Sequence, residues 1–219
     1  MKKLLLFITA FVISSFVYSC GSLTYINDTW QKPGYAGRKY SKIVVWAVFK
    51  ESLFTRRVVE DRLVSELKSN GINAVPSYDK FSNDLLDPNK TGKIENEQEG
   101  EEILLKAVKD MGVDGALVLS VKDIKKDKYY VSGSYWTPYY YSMPFSRYYI
   151  STYDRVYGPG YYQTNSQVYF ESGLFDLKKE ELIYSVISET VNPTSINDFS
   201  NSFSVTLVNT LIEGKIILK

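Results

Sequence analysis

The stretch from Lys42 to Phe49, KIVVWAVF, is the strongest indicator of the fold, because it is an almost unbroken run of apolar, β-branched and aromatic residues. Such a run is typical of a β-strand that is covered on both faces. A second run of the same type, GALVLSV, extends from Gly115 to Val121. The sequence therefore predicts a sheet with buried inner strands.

Three segments have apolar residues at helical spacing, and each is bounded by a capping residue or a glycine. The first follows the KIVVWAVF strand and carries Val59, Leu63 and Leu67 on one side; the second extends from Glu101 to Met111. The third carries a phenylalanine and leucine stripe near the carboxyl terminus. The candidate caps and stop residues are Ser52, Thr55, Gly71, Gly112, Ser195, Asn197 and Gly214.

The remaining strands are a short one at Ile72 to Ser77 and two that form a late hairpin, Gln167 to Leu177 and Leu182 to Val191. The order is strand, helix, strand, helix, strand, insertion, hairpin, helix. Alternating strands and helices give a parallel part, and the hairpin adds antiparallel strands. We predict an α/β (α+β) fold, a mixed sheet of about five strands with three helices packed on it. The single domain spans residues 42–219, with an insertion at 124–166 and a tether or linker at 20–41.

The amino terminus, MKKLLLFITAFVISSFVYSCGS, has two lysines before an apolar run that is too short to span a membrane, and it is typical of a secretory signal peptide of residues 1–19. The motif VYSCG around Cys20 resembles the lipobox of bacterial lipoproteins. Ordinary cleavage near an unrelated cysteine is the alternative, although a lone exported thiol is uncommon. The resemblance implies an acylated Cys20 that anchors the chain to a membrane. Gly21 resembles the outer-membrane class, so we expect an envelope protein at the outer membrane that faces the periplasm, with surface exposure as the alternative.

The composition excludes several classes of catalytic and metal-binding sites. The chain has no histidine, and Cys20 is its only cysteine, which excludes Ser-His-Asp and Cys-His nucleophiles and Cys/His zinc sites. Carboxylate pairs, Ser-Lys arrangements and oxygen-ligand metal sites remain. Without the signal peptide the chain has 24 basic and 25 acidic side chains, so no nucleic-acid partner is indicated.

Two acidic motifs have structural explanations. The loop beginning at Asp87 imitates a calcium loop, but Gln98 stands where a bidentate glutamate is needed. The acidic cluster at 95–102 is typical of a solvated helix start. Arg57 and Asp61 are four residues apart on the first helix, which predicts a weak surface ion pair. We expect no metal and no cofactor.

The segment from Tyr129 to Tyr162, YYVSGSYWTPYYYSMPFSRYYISTYDRVYGPGYY, has twelve tyrosines among its 34 residues. Its prolines and glycines break helices and central strands, which predicts an irregular loop or a short distorted hairpin at one edge of the sheet. The rings could pack back onto the domain, contact the membrane interface, or bind an envelope protein or glycan. The predicted contact residues are Tyr135, Trp136, Tyr139, Tyr140, Tyr141, Tyr148 and Tyr149.

The motifs SKIVVWAVF, RRVVEDRLVSELKSNGINAVPSY, MGVDGALVLSV and YFESGLFDLKKEELIYSVISETVNP resemble a family of uncharacterised bacterial lipoproteins with a Tyr-rich insertion. The family's Arg-x-x-x-Glu-Asp pattern is matched by Arg56 and Arg57 with Glu60 and Asp61. More distantly, the element order is similar to the domain shared by the curli-secretion lipoprotein and the TolB amino-terminal module. The resemblance implies no active site.

These features predict a non-catalytic, lipid-anchored envelope lipoprotein that presents a Tyr-rich surface to a protein partner or glycan, either as a single copy or within an oligomeric envelope assembly. The alternative is a carboxylate-dependent hydrolase that acts on glycan or peptidoglycan. Two buried, facing carboxylates beneath the tyrosines would favour the hydrolase, and scattered exposed acids would favour the binding protein.

Overall fold

The computed structural model describes residues 21–49, 53–81, 97–131 and 161–219. The elements within these residues, in chain order, are β1 (Leu23–Gln31), β2 (Ile43–Val48), α1 (Leu53–Ser69), β3 (Ala74–Pro76), α2 (Glu97–Met111), β4 (Gly115–Val131), β5 (Tyr161–Asp176), β6 (Glu181–Val191) and α3 (Ile196–Glu213).

The strands form one mixed sheet in the order β1-β6-β5-β4-β2-β3. Strand β2 is parallel to β3 and β4, and the β4-β5-β6-β1 part is antiparallel. This arrangement confirms the predicted fold class, with one strand more than the five expected. The two apolar runs on which the prediction was based are β2 and the first half of β4, which are direct neighbours.

Strand β1 is the additional strand, and it lies within residues 20–41, which were predicted to be a linker. Its sequence, LTYINDTWQ, has no buried apolar run because it is an edge strand with largely exposed side chains. It pairs with β6 and has a bulge between Ile26 and Asp28, a device that protects edge strands from pairing with other chains. Local periodicity does not reveal such a strand, since its stability comes from the β6 ladder.

The two faces of β2 contact different helices, as alternation along a strand requires. Ile43, Val45 and Ala47 pack with α1 and α3, whereas Val44 and Trp46 pack on the side that carries α2. A stack of aromatic rings joins α3 to the sheet: the ring centroids of Phe170 and Phe199 are 4.7 Å apart, and those of Phe199 and Phe203 are 5.3 Å apart.

Several of the predicted helix ends are confirmed, whereas the alternative caps Thr55 and Asn197 lie inside α1 and α3. Ser195 is the N-cap of α3, and its side chain accepts a hydrogen bond from the Asp198 backbone N–H at 3.1 Å. Gly71 and Gly112 follow α1 and α2 with positive φ angles of 81° and 59°, the conformation that favours glycine after a helix. Helix α2 begins at Glu97, four residues before the predicted start.

A buried ion pair holds α1 against the sheet. Arg56 and Glu60 are fully buried, with 2.8 Å between Arg56 Nε and Glu60 Oε1. Glu60 also accepts hydrogen bonds from the backbone N–H groups of Ala47 and Ser77 at 2.9 and 2.7 Å, and Arg56 donates to the Phe81 carbonyl at 3.1 Å. Both charged groups of the pair are thereby satisfied without water.

The neighbouring residues Arg57 and Asp61, predicted to pair with each other, both contact Tyr78. The Arg57 guanidinium lies 5.2 Å from the centre of the Tyr78 ring, and the Tyr78 hydroxyl donates a hydrogen bond to Asp61. That hydrogen bond, together with partial burial, raises the pKa of Tyr78 to about 12. The tyrosine is therefore a neutral donor throughout the physiological pH range.

Candidate functional site

The predicted site residues lie outside the described part of the chain. These residues are Cys20, Tyr135, Trp136, Tyr139, Tyr140, Tyr141, Tyr148 and Tyr149. Of the candidate calcium loop at 87–98, residues 87–96 also lie outside it, whereas Gln98 lies in the first turn of α2. The structure does show where the chain next to these residues is attached to the domain.

The residues that follow Cys20 are attached to the first turn of α3. The Ser22 backbone N–H donates to Asp198 Oδ1 at 2.9 Å, and the Ser22 hydroxyl donates to the Asp198 carbonyl at 3.2 Å. Backbone hydrogen bonds from Thr194 and Ser22 hold the pKa of Asp198 below its usual value, so this acceptor is charged at neutral pH. Ser22, two residues after Cys20, therefore lies against the start of α3.

One row of paired residues crosses the sheet at this end. Leu23 pairs with Val191, Val191 with Gln167, and Gln167 with Lys125. The row spans about 14 Å, because neighbouring strands are about 4.8 Å apart. The chain segment that leads to Cys20 and the long β4-β5 hairpin consequently leave the sheet at the same end.

That hairpin is a β arm, defined here as residues 122–131 and 161–169. It begins at a bulge between Val121 and Asp123, and its strands remain paired as far as Val131 and Tyr161. Beyond Gln167, the last partner of β6 on β5, β5 continues for six residues, or about 20 Å. The first of these, Ser166, is still hydrogen-bonded to Asn192 at 2.8 Å, and the other five pair only with β4. These residues lie within the range 124–166 predicted as an insertion, and the arm leaves from the middle of the sheet, not from its edge.

The end of the arm lies within the Tyr-rich stretch from Tyr129 to Tyr162. Val131 and Tyr161 are paired residues, and paired Cα atoms in antiparallel strands are about 5 Å apart. Residues 132–160 therefore connect the two strands at the tip of the arm. Tyr162, beside the tip, is 74% exposed.

The two faces of the arm carry different charges. Ile124 and Val168 are directly paired and line a groove on the α3 side of the sheet. Lys126 and Lys128 share that face, because side chains alternate along a strand.

The opposite face of the arm holds its acids. The Lys125 ammonium lies 5.0 Å from the centre of the Tyr169 ring, and Asp123 pairs with Tyr169. Asp127 follows on this face by alternation. The sequence KDIKKDK at 122–128 contains these charged residues. Assigning each of them to one face of the arm requires the strand register, which only the structure supplies.

The groove beside the base of the arm has a volume of about 880 Å³ and lies between the carboxyl end of β2, the arm and the start of α3. Most of its lining is apolar. The lining residues are Val48, Phe49, Thr55, Ser120, Val121, Ile124, Val168, Phe170, Pro193, Thr194, Ser195, Ile196 and Phe199.

Two buried carboxylates lie at the other end of the sheet. Arg38 donates to Asp176, and it donates to Asp114 at 2.9 Å. Asp114 also accepts hydrogen bonds from the backbone N–H groups of Ser41 and Lys42, at 2.9 and 3.1 Å. Asp176 pairs with Gly115, the first residue of β4, so this pair is far from the arm.

We expect the Asp114 cluster to make the fold sensitive to acid. Burial alone would raise the pKa of Asp114, but hydrogen bonds from Lys42 and Ser41 and the Arg38 charge outweigh burial and lower it. A lowered folded pKa stabilises the protein above the unfolded value of about 3.9, and this contribution disappears as the pH falls through the folded pKa. Urea unfolding between neutral and acidic pH should show it. Asp114→Asn should flatten that part of the pH dependence, and an unchanged profile would contradict the assignment.

Within residues 21–49, 53–81, 97–131 and 161–219, no cluster of acidic or sulfur side chains has an arrangement suited to a metal ion. None of the helices in these ranges combines the length and the apolar character needed to cross a bilayer.

Comparisons with known proteins identify no family. No family model matches the chain, and no curated protein matches its sequence. Among solved structures, the chain is similar to the PelC dodecamer from Paraburkholderia phytofirmans, with 12% identity, 85% of this chain and 96% of that chain covered, and a TM-score of 0.43.

Two further solved structures show a weaker likeness. Lipoprotein GNA1162 from Neisseria meningitidis has 12% identity over 78% of this chain and 98% of that chain, with a TM-score of 0.40. A minor lipoprotein from Acinetobacter baumannii has 10% identity over 80% and 94%, with a TM-score of 0.34. Because these TM-scores are below 0.5, they assign neither a family nor a function to this chain.

Proposed function

We propose that the protein is a non-catalytic, lipid-anchored lipoprotein of the bacterial envelope, whose α/β domain presents the Tyr-rich segment 132–160 to a protein partner or a glycan. The observation that carries this proposal is the pairing of Val131 with Tyr161 at the end of the β arm. The arm holds both ends of the segment about 20 Å beyond the last residue of β6 that pairs with β5.

Tyrosine suits such a position. Its ring provides a large apolar contact area, its hydroxyl provides a hydrogen bond, and it has few rotatable bonds to immobilise. Tyrosine and tryptophan are also enriched among the residues that dominate binding energy at interfaces. The proposed contacts are Tyr135, Trp136, Tyr139, Tyr140, Tyr141, Tyr148 and Tyr149.

The anchor in this proposal is an acylated Cys20 in the outer membrane, with the domain facing the periplasm. Ser22 is hydrogen-bonded to Asp198, so only two residues would separate the lipid from the folded domain. Such a short tether would hold the domain against the bilayer.

Replacing Cys20 with serine should release the protein from membranes. Several acyl chains, at about 0.8 kcal/mol for each buried methylene, anchor a protein durably, and serine cannot form the thioether. The wild type should partition into the detergent phase, and its amino-terminal peptide should have the mass of an acylated cysteine. The variant should remain in the aqueous phase. A wild-type peptide that starts elsewhere or has no acyl mass would contradict the anchor.

The partner can be sought by crosslinking in intact cells. Since Val131 and Tyr161 are paired, replacing residues 132–160 with Asn-Gly should close the arm as a two-residue hairpin and leave the domain folded. A partner of the segment should be captured by the wild type and lost with this variant, which should retain its circular dichroism spectrum. A variant that unfolds would show instead that the segment packs on its own domain.

The carboxylates of the described residues support a non-catalytic protein. Asp114 and Asp176 share Arg38 and are bound by backbone N–H groups, so their lone pairs are engaged in holding the fold. A glycosidase needs two acids on either side of the substrate bond. Both acids lie at the end of β4 opposite the arm.

A further inference from the structure

We propose that the end of the domain that carries the β arm also binds an anionic phospholipid bilayer directly. The contact residues are Val48, Leu53, Phe54, Ile124, Lys126 and Lys128, which we call the arm-end surface. This inference rests on the proposed function for the orientation of the domain and for the choice of a bilayer as the partner, since an acyl chain on Cys20 would bring this end to the membrane.

The arm-end surface exposes four large apolar side chains. Phe54 is 67% exposed, and Val48, Leu53 and Ile124 are each 54% exposed. Other apolar side chains of the described residues, such as Trp30 and Leu105, are exposed as well, but they lie on other elements. Exposed apolar residues that are grouped in this way mark interaction sites.

The topology places these residues at one end. Val48 is the last residue of β2 and pairs with Ser120, four residues before Ile124 on β4. Leu53 and Phe54 begin α1, which follows β2 in the chain. The carboxyl end of β2, the amino end of α1 and the base of the arm are thus neighbours.

The charged side chains that share the Ile124 face of the arm are positive. Lys126 and Lys128 are exposed on the same face of the arm as Ile124, and the paired strand has no charged residue from Tyr161 to Val168. The acids Asp123 and Asp127 lie on the other face. The surface is therefore cationic locally, although the mature chain is nearly neutral overall.

The position of Ser22, two residues after the proposed site of acylation, favours a bilayer as the occupant. Ser22, two residues after Cys20, is bound to Asp198 in the first turn of α3, and the preceding residues Thr194 and Ser195 line the groove that Val48 and Ile124 also line. Apolar side chains flanked by lysines are the combination that binds the interface of anionic membranes. A surface that binds a membrane non-covalently beside its own lipid would fix the tilt of the domain and the direction of the arm.

Vesicle binding by the mature chain with Cys20→Ser tests this proposal without the acyl anchor. The chain should sediment with vesicles of phosphatidylcholine mixed with phosphatidylglycerol, and much less with phosphatidylcholine alone. Lys126→Gln with Lys128→Gln should weaken binding about 25-fold, that is, about fivefold for each lysine. Added salt should weaken the wild type more than this variant.

Two matched controls separate the arm-end surface from general charge and apolarity. Lys178→Gln with Lys179→Gln removes two exposed lysines at the opposite end of the sheet and should leave binding unchanged. Phe54→Ser should reduce binding about tenfold, whereas Leu105→Ser, at a position that is 45% exposed on α2, should not.

Absence of binding to the phosphatidylglycerol vesicles would overturn the proposal, and so would equal losses in the two lysine variants. A change of oligomeric state in place of vesicle binding, measured by light scattering, would assign the surface to a second copy and overturn it as well. Acylation of Cys20 is measured separately by mass. Absence of vesicle binding would therefore not contradict the lipid anchor, and absence of acylation would not contradict direct binding by the arm-end surface.

Discussion

Replacing Arg56 with alanine is expected to lower the free energy of unfolding by about 3–5 kcal/mol, because removing one partner of a buried ion pair leaves an uncompensated charge. Glu60, Ala47 and Ser77 are completely buried, so water cannot replace the guanidinium. The Phe81 carbonyl loses its Arg56 donor as well. Urea unfolding followed by circular dichroism measures the effect.

Helix α1 contains its own control. Arg62 and Glu66 form a second Arg-Glu pair with the same spacing of four residues, 3.3 Å apart, but the Arg62 side chain is 35% exposed. Arg62→Ala should cost only about 0.5 kcal/mol or less. Similar losses for the two alanine variants would show that the burial of Arg56 is not what stabilises α1.

Replacing both Arg56 and Glu60 with apolar residues should also destabilise the protein. Buried ion pairs can often be exchanged for hydrophobic residues at no cost. In this protein, however, Glu60 accepts hydrogen bonds from the backbone N–H groups of Ala47, Ser77 and Tyr78. Those donors would be buried without partners, which costs about 1–3 kcal/mol for each group. Arg56→Met with Glu60→Leu should therefore remain well below the wild type in stability.

Gly37→Ala should lower the free energy of unfolding by about 2–5 kcal/mol. Gly37 has a φ of 81°, and an added Cβ would lie 2.0 Å from the Lys215 carbonyl oxygen. The left-handed conformation costs about 1–2 kcal/mol for an L-residue, and the enforced backbone shift adds about 1–3 kcal/mol. Displacing the carboxyl-terminal tail would also expose Ile216 and Ile217, which are buried in the core.

Gly34 is the matched control for this substitution. Its φ is 78°, but an added Cβ would have nothing within 4 Å. Gly34→Ala should therefore cost only about 1–2 kcal/mol, the conformational part of the effect. Equal losses in thermal or urea unfolding would mean that the contact with Lys215 contributes nothing.

Both glycines lie in the range predicted as a linker, and the structure shows why that prediction failed. The Arg38 carbonyl accepts a hydrogen bond from Leu218 at 3.0 Å, and Arg38 bridges Asp114 and Asp176. These partners are distant in sequence. A segment whose stability comes from such contacts has no periodicity of its own, so it is easily mistaken for a tether.

The arm was difficult to predict for a related reason. Prolines and glycines at 133–160 indicate irregular structure, and the sequence therefore predicts an insertion at 124–166. The flanking residues nevertheless remain in strands as far as Val131 and from Tyr161 onward, because β4 and β5 provide hydrogen bonds to each other. The proposed tyrosine contacts stay a prediction from composition.

Residue order alone was enough to establish the fold class and the chemistries that are missing. Apolar runs such as KIVVWAVF and apolar residues at helical spacing are local properties of the sequence. They indicate which side chains are buried, independently of how the strands and helices are arranged. Three features needed the folded chain: Arg56 is buried while Arg57 lies over Tyr78, β1 completes the sheet, and Lys126 and Lys128 lie on the face of the arm opposite to Asp123 and Asp127. These outcomes depend on strand register and on partners far away in the chain, which local sequence patterns do not specify.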